Sequence, residues 1–231
     1  MAPAAAQLAE ELGLPFRDLR LLSQALIHGS HIHERPAAGE SNERLEFLGD
    51  AVVSLIVSEA LWHHFPDEDE GSLTTRRAAI VSARGLARIA QRLNLDSYLV
   101  LGLGAALSGE GRRRSVLAAV FEAVTGAVYL ELGLERTRAW LLDVAAPELS
   151  AGRPVATLKA AKSRLQELGY ARHRRPPHYR VVEEEGPDHD RRYVVEVLVG
   201  GTVLGRGEGR NRRDAETEAA ERALLKLEAG A

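Results

Sequence analysis

Apolar residues recur at intervals of three and four along the first 150 positions, the spacing of amphipathic helices. The pattern predicts helices over Leu8–Leu14, Leu19–Ile27, Arg44–Phe65, Leu73–Leu93 and Ser115–Leu132, with a last one near Arg136–Val144. Polar stretches rich in Pro and Gly separate them: HERPAAGESN at 33–42, PDEDEGS at 66–72 and GLGAALSGEG at 102–111. PELSAGRP at 147–154 breaks the pattern, and beyond it the periodicity changes. Leu158–Leu168 reads as a helix, and HYRVVEEE (178–185), RRYVVEVLV (191–199) and TVLGRGEG (202–209) as strands. Gly200-Gly201 is a two-residue hairpin signal. Asn211 is a plausible N-cap for a closing helix through Glu228, with Ala215, Ala219, Ala220 and Leu224 inward. The predicted fold is an all-α domain followed by a small α-β-β-β-α domain. Expected limits are 1–149 for the first domain, 150–156 for a linker and 157–231 for the second.

Charge sharpens that division. The net charge of −3 looks wrong for a nucleic-acid partner, but residues 1–152 hold 14 Lys and Arg against 20 Asp and Glu. Residues 153–231 hold 16 against 13, so an acidic body precedes a basic tail. The 231 residues contain no cysteine, which excludes disulfides, thiolate zinc sites and a Cys nucleophile. No run approaches the roughly 18 uncharged apolar residues of a membrane span. The opening MAPAAAQLAEELGL carries acids where a secretory signal needs a basic start, so the expected location is the cytoplasm, with no membrane partner.

The richest chemistry lies in NERLEFLGDA at 42–51, which runs into an apolar helix. At about 100° per residue, Glu43, Glu46 and Asp50 fall within about 60° of one another. The helix is otherwise apolar nearly all round, which predicts burial. Buried, crowded carboxylates repel unless a cation compensates, and hard divalent ions take such oxygen ligands. The other reading of the spacing is a solvated acidic stripe, or acids paired to Arg44 and Arg76. Glu59 projects about 180° from Asp50 and is expected to be a surface or structural acid.

The same ten residues resemble the signature of the ribonuclease III family. The resemblance continues through ALIHGS near residue 25, FPDEDEGSLTTRRAAIV at 65–81 and SGEGRRRSVLAAVFEAVTGAVYLELG at 108–133. It implies a bacterial-type endoribonuclease that hydrolyses duplex RNA as a homodimer, leaving 5′-phosphate and 3′-hydroxyl ends, in rRNA and mRNA processing. By resemblance, Glu46, Asp50 and Glu122 are metal-site carboxylates for Mg²⁺, with Mn²⁺ as a substitute. Glu43 and Glu70 match acids placed near the substrate, and Phe47 matches an anchor seated in the second subunit. One position departs: Ala119 stands where an aspartate is expected, three residues before Glu122.

The tail resembles a double-stranded RNA-binding domain in KSRLQE at 162–167, EEGPDHDRRY at 184–193 and GEGRNRRDAETEAA at 207–220. Ser163, Gln166 and Glu167 share a helix face able to reach 2′-hydroxyls, with His189 reaching from a strand loop. Asn211, Arg212 and Arg213 sit at a helix start, where amides and guanidiniums can hold phosphates. Position 160 is Ala where the family often has Asp, so the cap is expected elsewhere, with Thr157 a candidate. GEGR at 207–210 and LGLG at 101–104 lack a following Lys-Ser/Thr and are not phosphate loops. The His28, His31 and His33 string precedes a Pro/Gly loop and is not read as a metal site. Arg112–Arg114 can touch an RNA backbone or be a solvated charge run. Two rival functions remain: a duplex-RNA binder that does not cut, favoured by Ala119, and an all-helical nucleotide pyrophosphohydrolase, disfavoured by the tail.

Overall fold

The computed structural model describes residues 2–150, 161–186, 191–209 and 211–229. The chain forms two compact units, Met1–Arg153 and Pro154–Ala231. Thr157 and most of the expected linker lie outside the described residues.

The first unit is helical: α1 (Ala2–Glu11), α2 (Arg20–Ala25), α3 (Gly29–Glu34), α4 (Glu43–His64), α5 (Glu70–Val81), α6 (Ala83–Arg92), α7 (Leu103–Leu107), α8 (Arg114–Val144) and α9 (Ala146–Leu149). Its core forms where α8 lies along α4. Val120, Phe121, Val124, Ala127 and Val128 of α8 are fully buried, as are Val53, Ile56, Val57 and Leu61 of α4 within 2%. Phe121 also stacks on Trp140, with ring centroids 6.0 Å apart. By length and composition α8 could cross a membrane, but 61% of its most apolar stretch is buried here as a core helix.

Three expectations change. The single helix expected over Leu73–Leu93 is two, because Ser82 turns extended (φ −64°, ψ 154°) and its hydroxyl accepts the Gly85 amide at 3.2 Å. Gly85 makes that corner possible, since a Cβ there would sit 2.0 Å from the Ile80 carbonyl oxygen. The stretch at 102–111 is not simply punctuation: α7 forms in it, its first amides accepted by Glu34 at 2.8 and 3.2 Å. Finally, α4 is not buried all round. Phe47, Leu55 and Trp62 are 82%, 55% and 67% exposed. At about 100° per residue these three fall on one flank of the helix, away from the core.

The second unit runs α10 (Ala161–His173), β1 (His178–Glu185), β2 (Arg192–Val199), β3 (Thr202–Gly209) and α11 (Arg212–Ala229). The strands form one antiparallel sheet in the order β1-β2-β3. Gly200 and Gly201 take φ of 60° and 87°, the left-handed pair that a tight hairpin turn requires. Val197 and Val199 pack on Ala219, Ala220, Ala223 and Leu224 of α11 and on Leu165 of α10. The glycines in GEGR, with Gly205, have a packing use. A Cβ at Gly205, Gly207 or Gly209 would meet the α11 backbone at 2.2–2.5 Å, so their absence lets the helix lie directly on β3.

Candidate active site

Four carboxylates gather where α4 begins. Glu43 opens the helix, Glu46 follows within the first turn and Asp50 one turn later. Opposite them, α8 supplies Glu122, and two glycines set the approach. A Cβ at Gly49 would lie 1.8 Å from the Glu122 carbonyl oxygen, and one at Gly126 would lie 2.4 Å from that of Leu45. The two backbones are therefore in contact, and Glu122 sits beside the turn carrying Glu46 and Asp50.

The electrostatics follow from that approach. Burial pushes the Glu122 carboxyl up to about 7, with the charges of Asp50 and Glu46 adding to it. Glu46 is also raised, first by burial and then by Glu43 and Asp50, while nearby His28 acts in the opposite direction. Neither arginine considered in the sequence quenches this charge on α4. Arg44 reaches Glu40 at 4.0 Å, and Arg76 forks onto Glu68 at 2.6 and 2.5 Å. Glu59 lies apart, as its helical angle predicts, and pairs with Arg138.

Other expected site residues stand elsewhere. Glu70 begins α5, accepts the Thr74 hydroxyl at 3.0 Å and does not join the cluster. Between it and Glu46 lies most of α4, roughly 27 Å of helix. Ala119 is half-buried on α8, one turn before Glu122. Among the described residues no three Asp, Glu or His side chains close into a ready metal cage. The acids crowd enough to repel yet not enough to enclose an ion directly. Oxygen donors with uncompensated charge fit a hard cation that keeps part of its water shell.

Two participants were not read as such from the sequence. Asn42 is buried, and its amide group donates to the Ala25 carbonyl at 3.3 Å, which ties the start of α4 to the end of α2. His28 was set aside with its neighbours, yet it lies close enough to act on Glu46. Its signal was hidden because the approach depends on residues 14 positions or more apart.

In the second unit, Ser163, Gln166 and Glu167 are exposed on α10 and line a shallow hollow with Tyr170. Asn211 is a true cap: its Oδ1 accepts the Asp214 amide at 2.9 Å, and its Nδ2 donates to the Asp214 carboxylate at 2.8 Å. Its side chain is thus already engaged. Arg212 pairs with Glu216 at 2.9 Å, while Arg213 is exposed. His189 lies outside the described residues.

Comparison with known proteins decides the family. Residues 18–149 match the Ribonuclease-III-like model, and residues 161–227 match the double-stranded RNA binding motif. The chain belongs to the ribonuclease III family. It is an endoribonuclease of that family. Ribonuclease 3 of Natranaerobius thermophilus is 42% identical over 221 residues, covering 96% of this chain and 95% of the relative. That of Enterococcus faecalis is 42% identical, covering 96% of each. The solved nuclease domain of ribonuclease III from Campylobacter jejuni superposes with a TM-score of 0.58 at 35% identity, covering 64% of this chain and 97% of that one. A second structure of that domain, with a TM-score of 0.57 and 37% identity over 62% of this chain and 96% of that one, is described as flexible in a region involved in dimer formation.

Proposed function

We propose that this ribonuclease III cuts double-stranded RNA by divalent-metal-dependent hydrolysis and leaves 5′-phosphate and 3′-hydroxyl ends. The reading rests on a Glu122 carboxyl pushed up to about 7 by burial and by Asp50 and Glu46. Acids crowded in this way are poorly compensated in the free protein, and a cation relieves them. Glu46, Asp50 and Glu122 are the side chains that would hold Mg²⁺, or Mn²⁺ in its place. A divalent ion bound there supplies an activated water and neutralises charge on the phosphodiester. The protein's share is positioning, with α4 and α8 pinned together at Gly49 and Gly126. Glu43, exposed at the mouth of the cluster, lies on the side open to substrate. No covalent enzyme intermediate forms in this scheme.

The working form is a homodimer. Phe47 is 82% exposed in the single chain, as an anchor for a second subunit would be. Glu70, remote from Glu46 in its own chain, serves the partner's site in such an assembly. The second unit holds duplex RNA by shape and 2′-hydroxyls through Ser163, Gln166, Glu167 and His189, and by phosphate contacts from Arg212 and Arg213. The expected setting is rRNA and mRNA processing in the cytoplasm.

Ala119 favours a second reading, a duplex-RNA-binding protein on the same fold that does not cut, because a methyl group offers no oxygen where an acid is expected. Incubation of a long duplex RNA with Mg²⁺, followed by end mapping, tests the main one. Mg²⁺-dependent fragments with 5′-phosphate ends are expected; metal-independent fragments or 5′-hydroxyl ends would contradict it.

A further inference from the structure

The corner between α4 and α5 is held by one arginine. Arg76 projects from the second turn of α5 and is buried, although it carries a charge. Its guanidinium forks onto the Glu68 carboxylate, from Nε at 2.6 Å and Nη2 at 2.5 Å, and lies 3.8 Å from the centre of the Phe65 ring. Phe65 in turn packs on the core of the nuclease unit, and its carbonyl accepts the Glu68 amide at 3.2 Å. One side chain of α5 therefore grips both Phe65, where α4 ends, and Glu68. Asp69 completes the corner: its carboxylate accepts the Ser72 amide at 2.7 Å and caps α5.

Stability alone is weak ground for such a clasp, because well-packed apolar residues of the same volume often serve as well as a buried ion pair. Geometry is what it supplies. A planar guanidinium that forks onto a carboxylate and stacks on a ring has one orientation, which a lysine cannot reproduce. What the corner carries is Glu70, the residue that opens α5 directly after it. Glu70 is exposed, and six residues of helix turn it about 120° away from Arg76, so the arginine does not touch it. We propose that Arg76 is a positioning residue for Glu70: through Phe65 and Glu68 it sets where α5 starts, and so where the Glu70 carboxylate stands. The proposal rests on the reading above in which Glu70 serves the partner's site. The clasp ties that acid to α4, the helix that carries Phe47 and the exposed Trp62. Displacement by about 1 Å near the reacting atoms can slow chemistry 100-fold.

The test is single-turnover, Mg²⁺-dependent cleavage of one duplex RNA at saturating full-length protein, in a cycle of Arg76→Lys, Glu70→Gln and the pair. Arg76→Lys keeps the charge and the stem and loses only the fork. It is expected to slow cleavage at least tenfold in the wild-type chain and less than twofold in the Glu70→Gln background, with metal-free RNA affinity unchanged. Glu68→Gln, which breaks the fork from the other side, should behave as Arg76→Lys does. A second readout does not depend on cleavage and uses the absence of cysteine from the chain. Spin labels on Glu70→Cys and Arg136→Cys, in chains diluted among unlabelled copies, report one distance within a subunit. Arg76→Lys should broaden that distance distribution at least twofold and leave a control pair, Asp96→Cys with Arg136→Cys, unchanged. Equal losses of cleavage in both backgrounds, or an unchanged width at position 70, would make the clasp merely structural and overturn the proposal. Glu70→Gln cutting as fast as wild type, or no cutting by wild type, would overturn the reading of Glu70 first and the role of Arg76 with it.

Discussion

Glu122 couples the stability of the free protein to pH. Its carboxyl keeps its proton to about pH 7 in the folded chain, against an ordinary value of 4.5. Between those values the folded state binds more protons than the unfolded one, so this residue lowers stability as pH rises. Glu122→Gln removes that loss. In the absence of metal the variant is expected to be more stable than wild type at pH 8, by about 1–2 kcal/mol after solvent screening. At pH 4 the two should unfold alike. Millimolar Mg²⁺ should narrow the gap at pH 8, because only wild type gains from binding it. Urea titrations at the two pH values check this; a variant less stable than wild type at pH 8 would contradict the assignment. The acids of α4 were legible in the sequence because helical geometry alone puts Glu43, Glu46 and Asp50 on one face. Glu122 was legible only through the family resemblance, since its place depends on a contact between distant segments. His28 was not legible at all.

The junction of α4 and α8 is the element on which the site depends. A methyl group at Gly49 would lie 1.8 Å from a backbone oxygen of α8, and neither helix backbone can yield without moving the core. Gly49→Ala is therefore expected to destabilise the nuclease unit by about 3 kcal/mol or more. It should also abolish Mg²⁺-dependent stabilisation; a thermal melt with and without Mg²⁺ tests both, and a near-neutral substitution would show that the helices are farther apart. Most helices were readable because a repeat of three and four marks a buried stripe. The break at Ser82 was not, because apolar residues continue through it and a serine cap with a glycine corner outweighs them. The exposed flank of α4 was misread for a related reason: apolar residues predict burial without saying against what. Phe47 was the exception, flagged by the family resemblance as an anchor for a second subunit. Phe47→Ala should weaken self-association by about 2 kcal/mol, roughly thirtyfold in Kd. Sedimentation of the variant as wild type at low micromolar concentration would remove it as an anchor.

Across the whole molecule, the acidic first part and the basic tail divide the work of cutting and holding. Metal-free binding of duplex RNA by the full chain should weaken steeply as salt rises, and duplex DNA should bind more weakly because it lacks the 2′-hydroxyl. Arg213→Ala should lower the slope of log affinity against log salt by about 1. An unchanged slope would place the phosphate contacts elsewhere. The architecture of the tail was legible nearly throughout, since the Gly200-Gly201 turn and the Asn211 cap are local signals. The packing use of Gly205, Gly207 and Gly209 was not, because it depends on where α11 lies. We propose that the acids at the α4–α8 contact make the catalytic site and that Ala119 weakens it. The most direct test is single-turnover cleavage of one duplex RNA by wild type, by Ala119→Asp and by Ala119→Asp with Glu122→Gln. Ala119→Asp should speed Mg²⁺-dependent cleavage at least tenfold and leave metal-free RNA affinity nearly unchanged, and adding Glu122→Gln should abolish cleavage. Fast cleavage that is indifferent to both substitutions would contradict it.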